Sequence, residues 1–82
     1  MNLSVRVTSR ITRRPSPEWD ALRTAKMQEM IDSGKTDGAV VQTRADYTFS
    51  RFFTDVAAAQ EFVDWVESTN PGYAVDTEIV EV

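Results

Sequence analysis

Residues 3–18, LSVRVTSRITRRPSPE, contain the signals that decide the fold, a strand followed directly by a helix start. Between Leu3 and Ile11 mostly apolar residues alternate with polar ones, the period of two that marks a strand with one buried and one solvated face. Pro15 biases the residue before it away from helical angles and ends the strand. Ser16 can cap free backbone N–H groups, and Pro17 suits the first helical position. A helix is therefore predicted to begin at Pro17.

The first helix is predicted to run from Pro17 to about Ser33, with Gly34 ending it in a left-handed conformation. Glu18 and Asp20 place negative charge at the positive end of its dipole. Its apolar residues form a broad stripe, which comprises Trp19, Leu22, Ala25, Met27, Met30 and Ile31.

The segments 39–44 and 47–53 are rich in β-branched and aromatic residues, which favours two strands. Residues 35–38 are predicted to connect the first helix to these strands, and Ala45-Asp46 is predicted to be the turn of an antiparallel hairpin. Because Ala-Asp is a poor two-residue turn, the register of the hairpin stays open.

A second helix is predicted after Thr54 or Asp55, either of which can cap it. Its buried stripe is compact and comprises Val56, Ala59, Phe62, Val63 and Val66, with Trp65 on the flank. Residues 70–72, Asn-Pro-Gly, are typical of a turn. A last strand is predicted over 73–82, with one face formed by Tyr73, Val75, Thr77 and Ile79.

These elements follow the order strand-helix-strand-strand-helix-strand. Right-handed crossovers then place both helices on one face of a four-stranded antiparallel sheet with strand order 4-1-3-2. The predicted fold class is therefore α+β, a ferredoxin-like βαββαβ sandwich that forms one domain over residues 1–82. The other face of the sheet has no cover within the chain.

The composition excludes several kinds of chemistry. The chain has no histidine and no cysteine, which removes the commonest general base, the thiolate nucleophile and the usual transition-metal ligands. The carboxylates Glu61, Asp64 and Glu67 lie on the predicted polar side of the second helix. We therefore predict a non-enzymatic protein without a cofactor or a metal.

The net charge of −4 is unevenly distributed. Residues 1–26 carry six basic and two acidic side chains, whereas residues 27–82 carry three basic and eleven acidic ones. The overall acidity disfavours nucleic-acid binding, which needs a positive field, although the basic arm permits a local anionic contact. The alternative is that the two halves neutralise one another across the fold.

Hydropathy predicts a protein without a membrane span. No apolar run approaches the roughly 18 residues that cross a bilayer. The first residues, MNLSVR, alternate polar and apolar types instead of forming a signal peptide. We therefore predict a cytoplasmic protein.

Residues 46–52, DYTFSRF, cover most of the third predicted strand. This strand can bury either of its two faces. In one register Tyr47, Phe49 and Phe53 point beneath the helices and Arg51 points inward; in the other Phe52 is buried. The alternating aromatics resemble the strand on which RNA-recognition motifs stack bases, with Tyr47 and Phe49 at the stacking positions. Asp46 stands where that family prefers glycine, so RNA binding is the least favoured reading.

With Phe53 buried, the uncovered sheet face is predicted to carry Arg6, Thr8, Arg10, Val40, Gln42, Arg44, Ser50 and Phe52. Arginine and aromatic side chains are enriched in protein interfaces. Trp65, on the flank of the second helix, is a further candidate anchor. The predicted partner-binding residues are therefore Arg6, Arg10, Arg44, Phe52 and Trp65.

Two resemblances bear on function. The layout in which Phe52-Phe53-Thr54-Asp55 leads into an alanine-rich helix resembles the dimeric α+β barrel family. That resemblance implies two sheets packed face to face around a pocket, and in some members cofactor-independent oxygenation. Residues 12–16, TRRPS, and 31–35, IDSGK, are similar to short proteins of large tailed bacteriophages, which implies a host-interaction or assembly factor in a bacterial cytoplasm.

We therefore predict a protein–protein interaction domain whose partner is a second copy or another protein. The alternative is a dimeric barrel that binds a small apolar ligand or carries out cofactor-free chemistry.

Overall fold

Two helices and four strands follow one another in the predicted order. The computed structural model describes residues 2–43, 48–69 and 74–82. The elements are β1 (Val5–Ile11), α1 (Pro17–Asp32), β2 (Thr36–Thr43), β3 (Thr48–Phe53), α2 (Val56–Thr69) and β4 (Ala74–Glu81). The sheet is antiparallel with order β2-β3-β1-β4, which is the predicted order 4-1-3-2 viewed from the other edge. The ferredoxin-like α+β prediction is confirmed.

The register between β1 and β3 settles which face of β3 is buried. Val5 lies opposite Phe53, Val7 opposite Arg51 and Ser9 opposite Phe49. Directly opposed residues share a face of the sheet, and Val5, Val7 and Phe53 are buried. Phe49, Arg51 and Phe53 therefore face the helices, as the first of the two registers predicts. Tyr47 lies outside the described residues.

The core lies between this sheet face and the helices. Phe53 and Met30 are fully buried, and the Phe53 ring lies 5.5 Å from that of Phe62 on α2. The buried apolar side chains are Val5, Val7, Met27, Met30, Phe53, Ala58, Ala59, Phe62 and Val63.

The predicted ends of α1 are confirmed. The Ser16 hydroxyl accepts a hydrogen bond from the Trp19 backbone N–H at 3.1 Å. Gly34, with φ of 73°, follows the last turn, where its N–H donates to Ile31 O.

The prediction that a broad apolar stripe of α1 is buried is wrong for the first half of the helix. Only Met27 and Met30 of this helix are buried, and Leu22 is 57% exposed. Pro17, Trp19 and Arg23 line a cavity instead of closing onto the sheet. The helix thus covers the sheet with its second half, because its first turns stand away from β3.

Strand β2 begins earlier than predicted and contains an irregularity. Thr36 is fully buried opposite Phe53, and its hydroxyl donates to Phe52 O at 2.6 Å. The next registered pair is Val40 with Arg51, so β2 has two more residues than β3 over this interval. Gly38, with φ of 79°, lies within it.

The resulting register corrects the predicted face of β2. Val40 and Gln42 lie opposite Arg51 and Phe49, on the helix side, whereas Val41 lies opposite Ser50. The prediction that Val40 and Gln42 belong to the uncovered face is therefore wrong. The pairing of Thr43 with Thr48 is the register that a two-residue turn at Ala45-Asp46 predicts. The error therefore lay in which alternate residues of β2 were taken as outward, because alternation gives two faces without saying which is inward.

In α2 the cap is Asp55, whose carboxylate accepts a hydrogen bond from Ala58 N at 2.7 Å. The buried side is formed by Ala58, Ala59, Phe62 and Val63. Val56 is 43% exposed, contrary to prediction, because it is the first residue of the helix. Neither of the helices described here is long and apolar enough to cross a membrane.

Strand β4 pairs with β1 and contains a bulge. Thr8 lies opposite Glu78, but Arg10 lies opposite Val75, which leaves an extra residue on β4. Asp76 has φ of 54° in this interval, and its carboxylate accepts from Arg10 Nη2 at 2.7 Å. Beyond the bulge, Ile79 lies opposite Val7 on the helix side, whereas Val75 pairs with Arg10. The prediction that Val75, Thr77 and Ile79 share one uninterrupted face with Tyr73 is therefore wrong at Val75, and Tyr73 itself lies outside the described residues.

We expect the ion pairs of Glu61 to make stability depend on acidic pH. Lys35 Nζ and Lys26 Nζ lie 2.7 and 3.1 Å from its carboxylate, and their hydrogen bonds, Lys35 first, lower the pKa of Glu61. A lowered folded-state pKa contributes stability above the ordinary value of 4.5 and loses it as the pH falls through the folded value. Glu61→Gln should therefore be less stable than the parent in urea at about pH 7, and the difference should shrink below about pH 4.

Glu67→Gln is the matched control for this prediction. Glu67 is exposed on the same helix, and no ion pair joins it to the part of the chain that the structure describes. It should show little change at either pH. A Glu61→Gln deficit that stays constant down to about pH 3 would contradict the assignment.

Candidate functional site

The sheet has one face that no described helix covers. Both helices pack on the side that carries Val5 and Phe53. The register of the four strands places nine residues whose side chains the structure describes on the opposite side. This open sheet face is formed by Arg6, Thr8, Arg10, Val41, Thr48, Ser50, Phe52, Glu78 and Val80.

Arg6 lies on β1, an inner strand of the sheet, near one end of the open sheet face. Its neighbours across the strands are Phe52 on β3 and Val80 on β4, both apolar. The Arg6 Nε atom is buried and has no hydrogen-bond partner in residues 2–43, 48–69 and 74–82. A buried donor without an acceptor is uncommon in folded proteins, because it loses its bond to water without replacement.

Glu78 supplies a negative charge on the same face. It lies opposite Thr8, two residue pairs along the strands from Arg6–Val80 and therefore next to that pair on the same face. Glu78 is exposed. Among the described residues, neither Glu78 nor Arg6 forms a salt bridge or a side-chain hydrogen bond. The face therefore carries one basic and one acidic group that no other described residue pairs.

Other polar groups of the open sheet face are paired within it. The hydroxyls of Thr8 and Ser50 lie 3.1 Å apart. Arg10 pairs with Asp76, and both of these side chains are largely exposed. An exposed pair contributes under about 1 kcal/mol, so Arg10 is a weaker anchor than Arg6.

The structure brings three of the five predicted site residues together. Arg6, Arg10 and Phe52 lie on the open sheet face. Trp65 lies in the helix layer, with its ring 5.7 Å from that of Trp19 and 6.4 Å from that of Phe62. Arg44 lies outside the described residues.

Val41, Glu78 and Val80 belong to the open sheet face but were not among the residues predicted for it. Val41 was missed because β2 was predicted with its two faces exchanged, which placed Val40 and Gln42 outward. The sequence did contain a signal for Glu78 and Val80. Because alternation places Thr77 and Ile79 on one face of the strand, it places Glu78 and Val80 on the other.

One of the two predicted stacking residues for RNA, Phe49, does not lie on this face. Phe49 lies opposite Ser9 on the helix side, where it lines a cavity under α1. Tyr47, the other predicted stacking residue, lies outside the described part. The described aromatic residue on the open sheet face is Phe52 alone.

The fold and this face define a small α+β domain with one uncovered sheet surface. Comparison of the chain with protein-family models, with characterised proteins and with solved structures gave no match. Within residues 2–43, 48–69 and 74–82, no three acidic side chains cluster as metal ligands would. The surface itself is therefore the basis for a functional proposal.

Proposed function

We propose that this protein is a non-enzymatic interaction domain that pairs with a second copy of itself through the open sheet face. The observation that carries the proposal is the buried Arg6 Nε, which lies on the same face as Glu78; within the part of the chain that the structure describes, this Nε has no acceptor and Glu78 has no basic partner. A partner that covers this face and supplies a carboxylate would remove the cost of the unsatisfied donor.

A second copy offers the complementary charge. In a two-fold symmetric interface, if residue i of one copy contacts residue j of the other, then j also contacts i. Arg6 of each copy can therefore contact Glu78 of the other. These two symmetry-related contacts pair both arginines and both glutamates. A guanidinium–carboxylate contact is among the stronger polar contacts, because both partners are charged and it can form two parallel hydrogen bonds.

The apolar members of the face favour the same occupant. Phe52 is half-buried, and Val41 on the outer strand β2 is 57% exposed. Pairing two copies removes these side chains from water, which supplies the non-directional part of the affinity. Face-to-face pairing is also the arrangement that the resemblance to dimeric α+β barrels implies.

The polarity of the face favours protein pairing over an apolar-ligand barrel. The same face presents Arg6, Thr8 and Ser50 beside Phe52, so a space enclosed between two copies would be lined by charged and hydroxyl groups. Small apolar ligands bind in pockets lined mainly by apolar side chains.

The molar mass in solution tests the proposal. Light scattering on a size-exclusion peak should give about twice the 9.3 kDa of one chain. Glu78→Arg places two like charges in contact and should give the mass of one chain at the same concentration. The double variant Arg6→Glu with Glu78→Arg reverses both charges and should restore the dimer.

Leu22→Glu is the control for added surface charge. Leu22 is 57% exposed on α1, on the other side of the sheet, and its replacement should leave the mass unchanged. A parent protein with the mass of one chain throughout the dilution series would refute self-pairing. A dimer that is unaffected by Glu78→Arg would refute pairing through this face.

A further inference from the structure

A cavity of about 980 Å³ lies on the helix side of the sheet, beneath the first turns of α1. It exists because α1 covers the sheet only with its second half, which leaves the space above Phe49 and Arg51 open. Pockets of roughly 300–1,000 Å³ hold small organic ligands. The cavity lies on the opposite side of the sheet from the open sheet face.

The lining of this cavity is strongly basic. Four arginines contribute to it from three parts of the chain: Arg13 and Arg14 before α1, Arg23 on α1 and Arg51 on β3. One acidic side chain, Asp20, also lines it, and its Oδ1 lies 3.6 Å from Arg23 Nε. The positive charge of the cavity therefore exceeds the negative charge that its lining residues supply.

Arg51 is the innermost of these cations. Its guanidinium carbon lies 5.7 Å from the centre of the Phe62 ring. Among the described residues it has no carboxylate partner and no hydrogen bond. Burial, and secondarily the charge of Arg23, lower the pKa of Arg51 to about 10, so it remains cationic at neutral pH. Arg51 is half-buried, and a partly desolvated cation that no described carboxylate neutralises is stabilised by a bound anion.

Aromatic side chains form much of the remaining wall. Trp19 contributes from α1, Phe49 from β3 and Phe62 from α2. A flat ring between such side chains gains from burial and from offset stacking. The cavity thus combines convergent guanidinium groups with an aromatic surface.

We propose that this cavity binds a small organic phosphate that carries an aromatic ring, of about the size of a nucleoside monophosphate. Arg51 and Arg23 hold the phosphate, because a doubly charged group matches two guanidinium groups better than a singly charged carboxylate does. The ring lies against Phe49, Phe62 and Trp19, and Arg13 and Arg14 add positive field at the exposed end.

Four probes separate the two halves of this recognition. Phenyl phosphate and adenosine monophosphate carry both ring and phosphate, inorganic phosphate lacks the ring, and phenol lacks the charge. Binding is measured by calorimetry and by tryptophan fluorescence. Fluorescence reports binding because Trp19 lines the cavity and contacts Trp65. We expect both ring phosphates to bind more tightly than inorganic phosphate or phenol, and to weaken as salt is added.

Arg51→Met keeps most of the side-chain stem and removes the charge. It should weaken phenyl phosphate binding by about tenfold or more, since hydrogen bonds to charged groups contribute about 1.5–3 kcal/mol. Arg51→Lys keeps the charge but loses the planar guanidinium group. Its affinity for phenyl phosphate should lie between those of the parent and of Arg51→Met. Arg23→Gln, at a partly exposed position, should weaken binding about tenfold and serves if Arg51→Met fails to fold.

Arg10→Gln is the control for net charge. Arg10 lies on the opposite side of the sheet, and its loss should leave the affinity within about twofold. The proposal is overturned if neither ring phosphate binds at about 10 mM, or if folded Arg23→Gln binds as well as the parent. It is also overturned if inorganic phosphate binds as tightly as phenyl phosphate. None of these readouts depends on self-pairing through the open sheet face.

Discussion

Phe53→Ala is expected to lower the free energy of unfolding by about 3–5 kcal/mol, the usual cost of emptying a fully buried phenylalanine site. Phe53 is fully buried between Val5 on β1, Met30 on α1 and Phe62 on α2, so its removal leaves a void that several elements share. Domains of this size have a small free energy of unfolding, on the order of 5 kcal/mol. Urea denaturation followed by circular dichroism should show a variant that is largely unfolded or close to it.

Phe52→Ala is the matched control, because it deletes the same atoms one residue earlier. Phe52 lies half-buried on the open sheet face, so its loss should cost on the order of 1 kcal/mol in dilute monomeric protein. Its main effect should instead be on the molar mass at higher concentration. Equal destabilisation by the two substitutions would contradict the assignment of Phe53 to the core face.

Gly38→Ala should cost about 2–5 kcal/mol, from two sources. The backbone φ of 79° lies in the left-handed region, which disfavours any residue with a Cβ. A Cβ built there would also lie 2.6 Å from Ile31 Cδ1, so Ile31 on α1 would have to move. Urea denaturation of Gly38→Ala measures the sum of the conformational cost and the steric cost at Ile31.

Gly34→Ala separates these two sources. Gly34 has a similar φ of 73°, but nothing lies within 4 Å of a Cβ built there. It should therefore show only the conformational cost, about 1–2 kcal/mol. The difference between the two glycine variants measures the contact with Ile31.

A double-mutant cycle with Ile31→Val checks that contact. Because valine lacks the Cδ1 atom, Gly38→Ala should cost less in the Ile31→Val background than in the parent. Strict additivity of the two substitutions would show that the clash does not contribute and that φ alone accounts for the cost.

The candidate site could be predicted only in part. Alternation in β1 placed Arg6 and Arg10 on the solvated side, and the position of Phe52 followed once Phe53 was placed in the core. Val40 and Gln42 were assigned to the wrong side, because strand alternation gives two faces without saying which is inward. The arginine-lined cavity could not be predicted, since Arg51 is distant in sequence from Arg13, Arg14 and Arg23.

The sequence by itself determined the elements and their order. The alternation of β1, the Ser16-Pro17 helix start and the Gly34 stop are local signals, because capping and backbone geometry depend on neighbouring residues. Only the tertiary structure decided the register of β2, the bulge at Asp76 and the incomplete cover of the sheet by α1. These features depend on how whole elements pack against one another, and that packing places Arg6 without an acceptor and Arg51 without a counter-ion among the described residues.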